Sequence, residues 1–257
     1  MTFKMWSVMH YIYLASPFIL LFVLLFISKK YNDSQKRKMG IILSLIAVLL
    51  LILRNVEIYL DRGIDAELIP LQICHFANFV MLFAFVFNNK TLFSLSFLLN
   101  LPAAYVSIIF ANSLSNYPTI LNFRGIAYIF GHMMIVGIVM WAYFVGFIKI
   151  TKQVFLKTLT LMASLYVISH LINNGLRFYG LTPNYFYSIT PEGGTPLEIF
   201  YNWGTNYEIS NFIINPIYLL TSALFGGVVV VIFWGLYKLL LPLTNKEEEL
   251  KVVMFHR

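Results

Sequence analysis

Seven continuous apolar runs constrain this chain more than any other feature. They fall near residues 8–28, 39–60, 70–88, 92–112, 125–148, 155–176 and 210–240. Crossing a hydrocarbon core of about 30 Å takes ~20 helical residues, and each run supplies that length. The runs are apolar throughout rather than alternating, which excludes a closed barrel and leaves helices as the spanning element. Only 11% of the 257 residues are charged and 60% are hydrophobic, whereas a soluble domain carries about 25% charged residues. The expected fold class is therefore all-α and polytopic. A single membrane domain spans residues 1–257, without internal repeats. The first run is too long, and too poor in a small-residue cleavage site, to read as a removable signal, so it is expected to stay as a helix.

The formal charge of +7 does not point to nucleic acid, because the basic residues flank apolar runs instead of forming an aromatic-interleaved patch. Lys29, Lys30, Lys36, Arg37 and Lys38 follow the first run. Lys90 follows the third, Lys149, Lys152 and Lys157 the fifth, and Lys238, Lys246, Lys251 and Arg257 close the chain, so that thirteen of eighteen lie on one side. The positive-inside rule makes that side cytoplasmic, with the N-terminus outside and the C-terminus inside a multi-pass protein of the cell membrane. Asp61, Asp65, Glu67, Glu192, Glu198 and Glu208 then lie outside. The one long connection, about 177–209, is rich in Tyr, Phe, Pro and Gly ("NYFYSITPEGGTPLEIFYNWGTNY") and suits a lid at headgroup level.

Ionisable and amide side chains inside spans are costly and point to a functional cavity. Helical spacing collects them into stripes. Arg54, Glu57 and Asp61 share a face of the second helix, where Arg54 and Glu57 are expected to pair. Cys74 and Asn78 lie one turn apart on the third; Arg124, Tyr128 and His132 follow each other on the fifth. His170, Asn173, Asn174 and Arg177 form a stripe on the sixth, and Asn211, Asn215 and Tyr218 on the seventh. With the N-terminus outside, all of these fall in the outer half, and the inner halves are nearly devoid of polar groups. The pattern is a pocket open to the outer leaflet and closed below, not a conduction path. Lys238, near the inner end of the last run, is too low for a mid-membrane Schiff base.

Cys74 is the only cysteine. It stands in the first turn of the third helix after Pro70, where the helix dipole favours a thiolate. Its neighbour His75 points about 100° away, toward the second helix and Glu57 or toward the interface. His132, 58 residues on but at similar depth, is the expected base. Cys74, His132, His170 and Glu57 are zinc-ligand types, but no HxxxH, HxxE or CxxC pair fixes two ligands on one helix face, so neither metal nor cofactor is expected.

"LQICH" opening the third helix, an early His in the fifth, and "NN" followed by "PNYFY" after the sixth make the chain resemble the YwaF-like integral membrane proteins over nearly its whole length. That family includes an animal branch of cysteine-dependent acyltransferases that remodel ether phospholipids. The resemblance implies that Cys74 and His132 match that branch's proposed catalytic pair. The expected function is lipid acyl transfer or acyl hydrolysis at the outer leaflet, with a phospholipid donor and a lysophospholipid-type acceptor as partners. Arg54, Arg124 and Arg177 are candidate phosphate anchors, Asn78 or Asn174 candidate oxyanion donors, and Tyr128, His170, Asn173, Asn211 and Asn215 further cavity residues. The competing expectation is a lipid- or small-molecule-binding membrane protein, a receptor or transporter component, that uses the same cavity without covalent chemistry.

Overall fold

The computed structural model describes residues 3–111, 114, 119–193 and 195–255, with side chains to residue 241. Seven helices are long and apolar enough to cross a membrane: Val8–Ser28, Asp33–Arg62, Ala66–Phe87, Lys90–Ile109, Phe123–Phe144, Lys152–Arg177 and Pro216–Leu241. In finer detail these are α1 (Val8–Ser28), α2 (Asp33–Arg62), a 3-10 turn (Ala66–Leu68) leading into α3 (Ile73–Phe87), then α4 (Lys90–Leu95) and α5 (Leu101–Ile109) as two halves of one span, α6 (Phe123–Phe144) and α7 (Lys152–Arg177). A short α8 (Leu197–Asn202) and a hairpin of β1 (Tyr207–Ile209) and β2 (Phe212–Ile214) precede α9 (Pro216–Phe255).

Polar caps set the helix ends that hydropathy alone misplaces. α2 starts six residues before the expected 39, because Asn32 and Gln35 form a reciprocal capping box, each side chain accepting the other's backbone N–H at 2.9 Å. Asn88, with φ +48°, ends α3 in the left-handed region, and Asn89 caps α4 by accepting from the N–H groups of Thr91 and Leu92. Between α4 and α5 the backbone widens into a π-turn at Ser96–Asn100. Pro102, at the start of α5, has no N–H to return to residue 98, which opens the ladder there.

α6 is the central helix, packed against α1, α2 and α5. Gly137 lets α1 approach closely: a Cβ there would lie 2.7 Å from Leu20 Cδ2. Both ends of α1 are pinned. His10 donates Nε2–H to the Ile108 carbonyl at 2.9 Å, and Trp141 donates to Ser28 Oγ at 2.9 Å. The uncharged polar groups Ser28, Ser44, Ser94, Ser96 and Asn100 are also buried, so the half expected to be nearly free of polar groups holds hydroxyls and an amide, with Lys36 and Asp33 paired at 3.9 Å at its edge, in the first turn of α2.

The expectation of a seventh helix starting at 210 is corrected. Residues 207–214 form an antiparallel hairpin in which Tyr207 pairs with Ile214 and Ile209 with Phe212. Ser210, at φ +57°, makes its turn. "NFIIN" is apolar enough to extend the hydropathy signal, but the helix begins at Pro216, whose fixed φ and missing N–H suit a first helical position.

Candidate functional site

Cys74 is the second residue of α3 and half-buried. Its Sγ lies 3.9 Å from Ser107 Oγ on α5. The Ser107 carbonyl accepts a hydrogen bond from the Tyr128 hydroxyl at 3.1 Å, and the Tyr128 ring packs on the His132 ring at a centroid distance of 4.2 Å. Three spans therefore meet at this point: α3 brings the thiol, α5 the serine, α6 the phenol and the imidazole. Tyr13 of α1 belongs to the buried core against which Cys74 packs, and Tyr187 is an electrostatic neighbour of the thiol.

His132 is buried. Its Nδ1 lies 2.8 Å from the Tyr128 carbonyl oxygen, which can only accept, so the neutral ring carries its proton on Nδ1 and presents the lone pair of Nε2. Among the described residues Cys74 and His132 make no hydrogen bond, and the polar partner of the thiol is Ser107. His75 faces α2, but its electrostatic neighbours are Arg54 and His132 rather than Glu57, and its Nδ1 is buried without a hydrogen bond.

The expected pairing of Arg54 with Glu57 is also corrected. Arg54 hydrogen-bonds the carboxylate of Glu67, in the turn before α3. Glu57 lies 3.5 Å from Arg124 Nε, and Asp61 accepts from Arg124 at 2.8 Å. Helical spacing reports which side chains share a face, but both arginines sit opposite carboxylates of other elements and reach across. Two candidate phosphate anchors thus already hold carboxylates. Among the described residues Arg177 spends only Nε, on the Asn211 carbonyl at 3.3 Å.

The amide stripe of α7 works as a clamp on the long connection. Asn173 donates Nδ2 to the Tyr185 carbonyl and to Ser188 Oγ, each at 2.9 Å, and accepts the Tyr185 N–H at 2.9 Å. Asn174 exchanges the same pair of bonds with the backbone of Ile213. His170 donates Nδ1–H to the Ser188 carbonyl at 3.2 Å, and its Nε2 faces Asn174 Nδ2. Asn215 caps α9 through the Tyr218 N–H and holds Tyr201 and Asn206. Asn211 lies in the hairpin turn, not on a helix. Asn78 donates to the Cys74 carbonyl at 3.2 Å, leaving its Oδ1 buried without a partner. The polar capacity of Asn173 and Asn174 is thereby spent on the fold, and Asn174 is not free to serve as an oxyanion donor.

The clamped segment covers the start of α3. Phe186 and Tyr187 both adopt left-handed backbone, at φ +54° and +51°, a cost of order 1–3 kcal/mol each for residues with a Cβ. That conformation sets Phe186 against Phe76 of α3 and Tyr187 near Cys74. Tyr185 donates its hydroxyl to the Ala66 carbonyl at 2.6 Å. Burial and the nearby Asp65 carboxylate push the Tyr185 phenol up to about 12, and burial raises Tyr187 further.

A groove of about 350 Å³ opens sideways between α2, the 3-10 turn and α3, lined by Ile52, Asn55, Val56, Leu68, Pro70 and Phe79 among others. Neither Cys74 nor His132 lines it, so the polar convergence and this apolar groove do not form one outward cavity. Among the described residues no three His, Cys, Asp or Glu side chains gather as a metal site would need.

The sequence model of the TMEM164 family matches residues 5–236. The chain belongs to the TMEM164 family. It is accordingly a multi-pass membrane protein, and the match runs from ahead of α1 well into α9, taking in every residue of the site. No curated protein and no solved structure matches it. Ser107, Tyr13 and Tyr187 are site residues that sequence reasoning missed. For Tyr13 a signal existed: His10 and Tyr13, one turn apart, give the first run the same striped pattern as the others.

Proposed function

We propose that this family member is a membrane lipid acyltransferase, in which Cys74 forms a thioester with a phospholipid acyl group and a lysophospholipid-type hydroxyl accepts it. What supports this reading is an α3 first-turn thiol and a buried α6 imidazole at one polar site, linked through Ser107 and Tyr128, with a tautomer that leaves Nε2 as a lone pair, in a chain whose family match spans both. In the first step the thiol proton passes to His132 Nε2 as Sγ bonds to the ester carbonyl carbon. The tetrahedral intermediate then expels the lysolipid alkoxide, which takes that proton back. In the second step the acceptor hydroxyl gives its proton to His132 and its oxygen displaces Sγ, regenerating the thiol. Substrate entry has to draw the thiol from Ser107 toward His132, and the strained Phe186–Tyr187 segment, lying over α3, is the part of the site suited to move. The lateral groove beside Pro70 suits an acyl chain, and the unspent NH1 and NH2 of Arg177 suit a headgroup phosphate. The plasma membrane and its outer leaflet are the proposed setting, following the charge distribution of the loops.

The Ser107 contact of Cys74 favours a second reading, a lipid-binding protein without covalent chemistry. Incubating purified protein with labelled phospholipid and measuring its intact mass separates the two. Acyl transfer predicts an adduct on Cys74 that disappears in Cys74→Ala; binding alone predicts copurifying lipid and no adduct.

A further inference from the structure

Tyr13 is 4% exposed, and its hydroxyl has no hydrogen-bond partner. A buried hydroxyl without a partner costs about 1–3 kcal/mol, and phenylalanine would fill the same space without that cost. The placement of the ring is fixed by its own helix. His10, one turn earlier on α1, bonds the carbonyl of Ile108, the residue after Ser107, whose Oγ is 3.9 Å from Cys74 Sγ. Tyr13 lies one turn further along the same face of α1, in the buried core against which Cys74 and Tyr128 pack. Tyr105 and Ile129, neighbours of the site on α5 and α6, pack against the same core. The Tyr128 hydroxyl is committed to the Ser107 carbonyl, and the Asn78 amide N–H group to the Cys74 carbonyl.

We infer that Tyr13 is a further catalytic residue, the oxyanion donor of the acyl transfer, a role that rests on the thioester mechanism proposed above. As Sγ bonds to the acyl carbon, the carbonyl π pair moves onto oxygen, and the Tyr13 O–H donates a hydrogen bond to that oxygen while keeping its own proton. The bond is released when the C–O bond to the lysolipid breaks and the carbonyl re-forms, and it is made again when the acceptor hydroxyl attacks the thioester. A preorganised donor in a water-poor site acts where charge develops and needs no reorganisation during the reaction.

The test compares two reactions of the same thiol in detergent-solubilised full-length protein. Acylation by p-nitrophenyl decanoate passes through a tetrahedral oxyanion, whereas alkylation by iodoacetamide does not. For Tyr13→Phe the expected result is acylation of Cys74 slowed about 100-fold, in the range for loss of one oxyanion donor, with iodoacetamide alkylation at the wild-type rate. Acylation of Tyr13→Phe at the wild-type rate overturns the assignment. So does an equal slowing of both reactions, which marks Tyr13 as packing only, and so does a selective loss in Tyr187→Phe but not in Tyr13→Phe, which moves the role to the lid. A wild-type Cys74 that alkylates but never acylates defeats the thioester mechanism itself, and the role of Tyr13 with it; that outcome is read without any Tyr13 variant.

Discussion

Nδ1 of His132 lies 2.8 Å from the carbonyl oxygen of Tyr128, one turn earlier on α6. This contact defines the imidazole chemically, because the carbonyl accepts a hydrogen bond from Nδ1–H and Nε2 is left as a lone pair. A base of this kind is expected to contribute about 10²–10⁴-fold. His132→Gln should retain folding and slow the appearance of the acyl adduct on Cys74 by that factor, as read by intact mass. Adduct formation at the wild-type rate would remove His132 from the mechanism.

Arg124, not Arg54, is the partner of Glu57. Double-mutant cycles in detergent should show it. Glu57→Leu and Arg124→Leu are expected to be coupled by about 1 kcal/mol, the scale for an ion pair with one half-exposed member. Glu57→Leu and Arg54→Leu should be additive, because Arg54 binds Glu67. Coupling between Glu57 and Arg54 larger than that between Glu57 and Arg124 would contradict the observed pairing.

These ion pairs show where the sequence stops being informative. Apolar length located all seven spans, since ~20 consecutive apolar residues have few other uses. It misplaced the start of α2, because "DSQKRK" is helical but polar, and of α9, because "NFIIN" is apolar but extended. Helical spacing found the faces bearing Arg54, Glu57, Cys74, Tyr128, His132 and Asn173. It could not say that Arg54 reaches Glu67, or that Asn173 and Asn174 spend themselves on the backbone of residues 185 and 213. Those facts depend on the path of the long connection. Ser107 was missed because a single hydroxyl in an apolar run carries no periodic signal.

Asn173 replaces a strand partner for Tyr185, accepting its N–H and donating to its carbonyl. Asn173→Ala leaves both backbone groups unpaired at a buried position, at about 1–3 kcal/mol each. The expected outcome is faster amide hydrogen exchange across residues 181–192, with exchange in α6 unchanged. A uniform rise over the whole chain would mean that Asn173 supports the bundle rather than the lid.

The Tyr185 hydroxyl ties the lid to the Ala66 carbonyl at 2.6 Å, and burial with the nearby Asp65 carboxylate pushes its pKa from the usual 10.0 of a phenol up to about 12. Because the folded value is raised, the protonated phenol favours the closed lid. That contribution is fully present below pH 10 and is lost as pH rises from about 10 through about 12. Hydrogen exchange corrected for its intrinsic pH dependence should show the 181–192 segment loosening in that window. Tyr185→Phe should be loose already at neutral pH and show no such transition. A wild-type lid unchanged up to pH 12 would mean that the hydroxyl does not hold it.

The proposed membrane orientation rests on the basic residues. Lys29, Lys30, Lys36, Arg37 and Lys38 lie at the α1–α2 turn, with Lys149, Lys152 and Lys157 at the α6–α7 turn. Both turns are at the end of the bundle opposite the Arg54–Glu67 and Arg124–Asp61 pairs, because α2 and α7 run away from them. Lysine-rich short loops tend to be retained in the cytoplasm, and on that ground we propose that the Cys74 end lies outside. Single reporter cysteines introduced in a Cys74→Ala background at Ser34 and at Thr190 provide the measurement. A membrane-impermeant maleimide added to intact cells should label position 190 and spare position 34. The reverse pattern would put the thiol and its lid at the cytoplasmic leaflet, so that any acyl donor would have to come from that side.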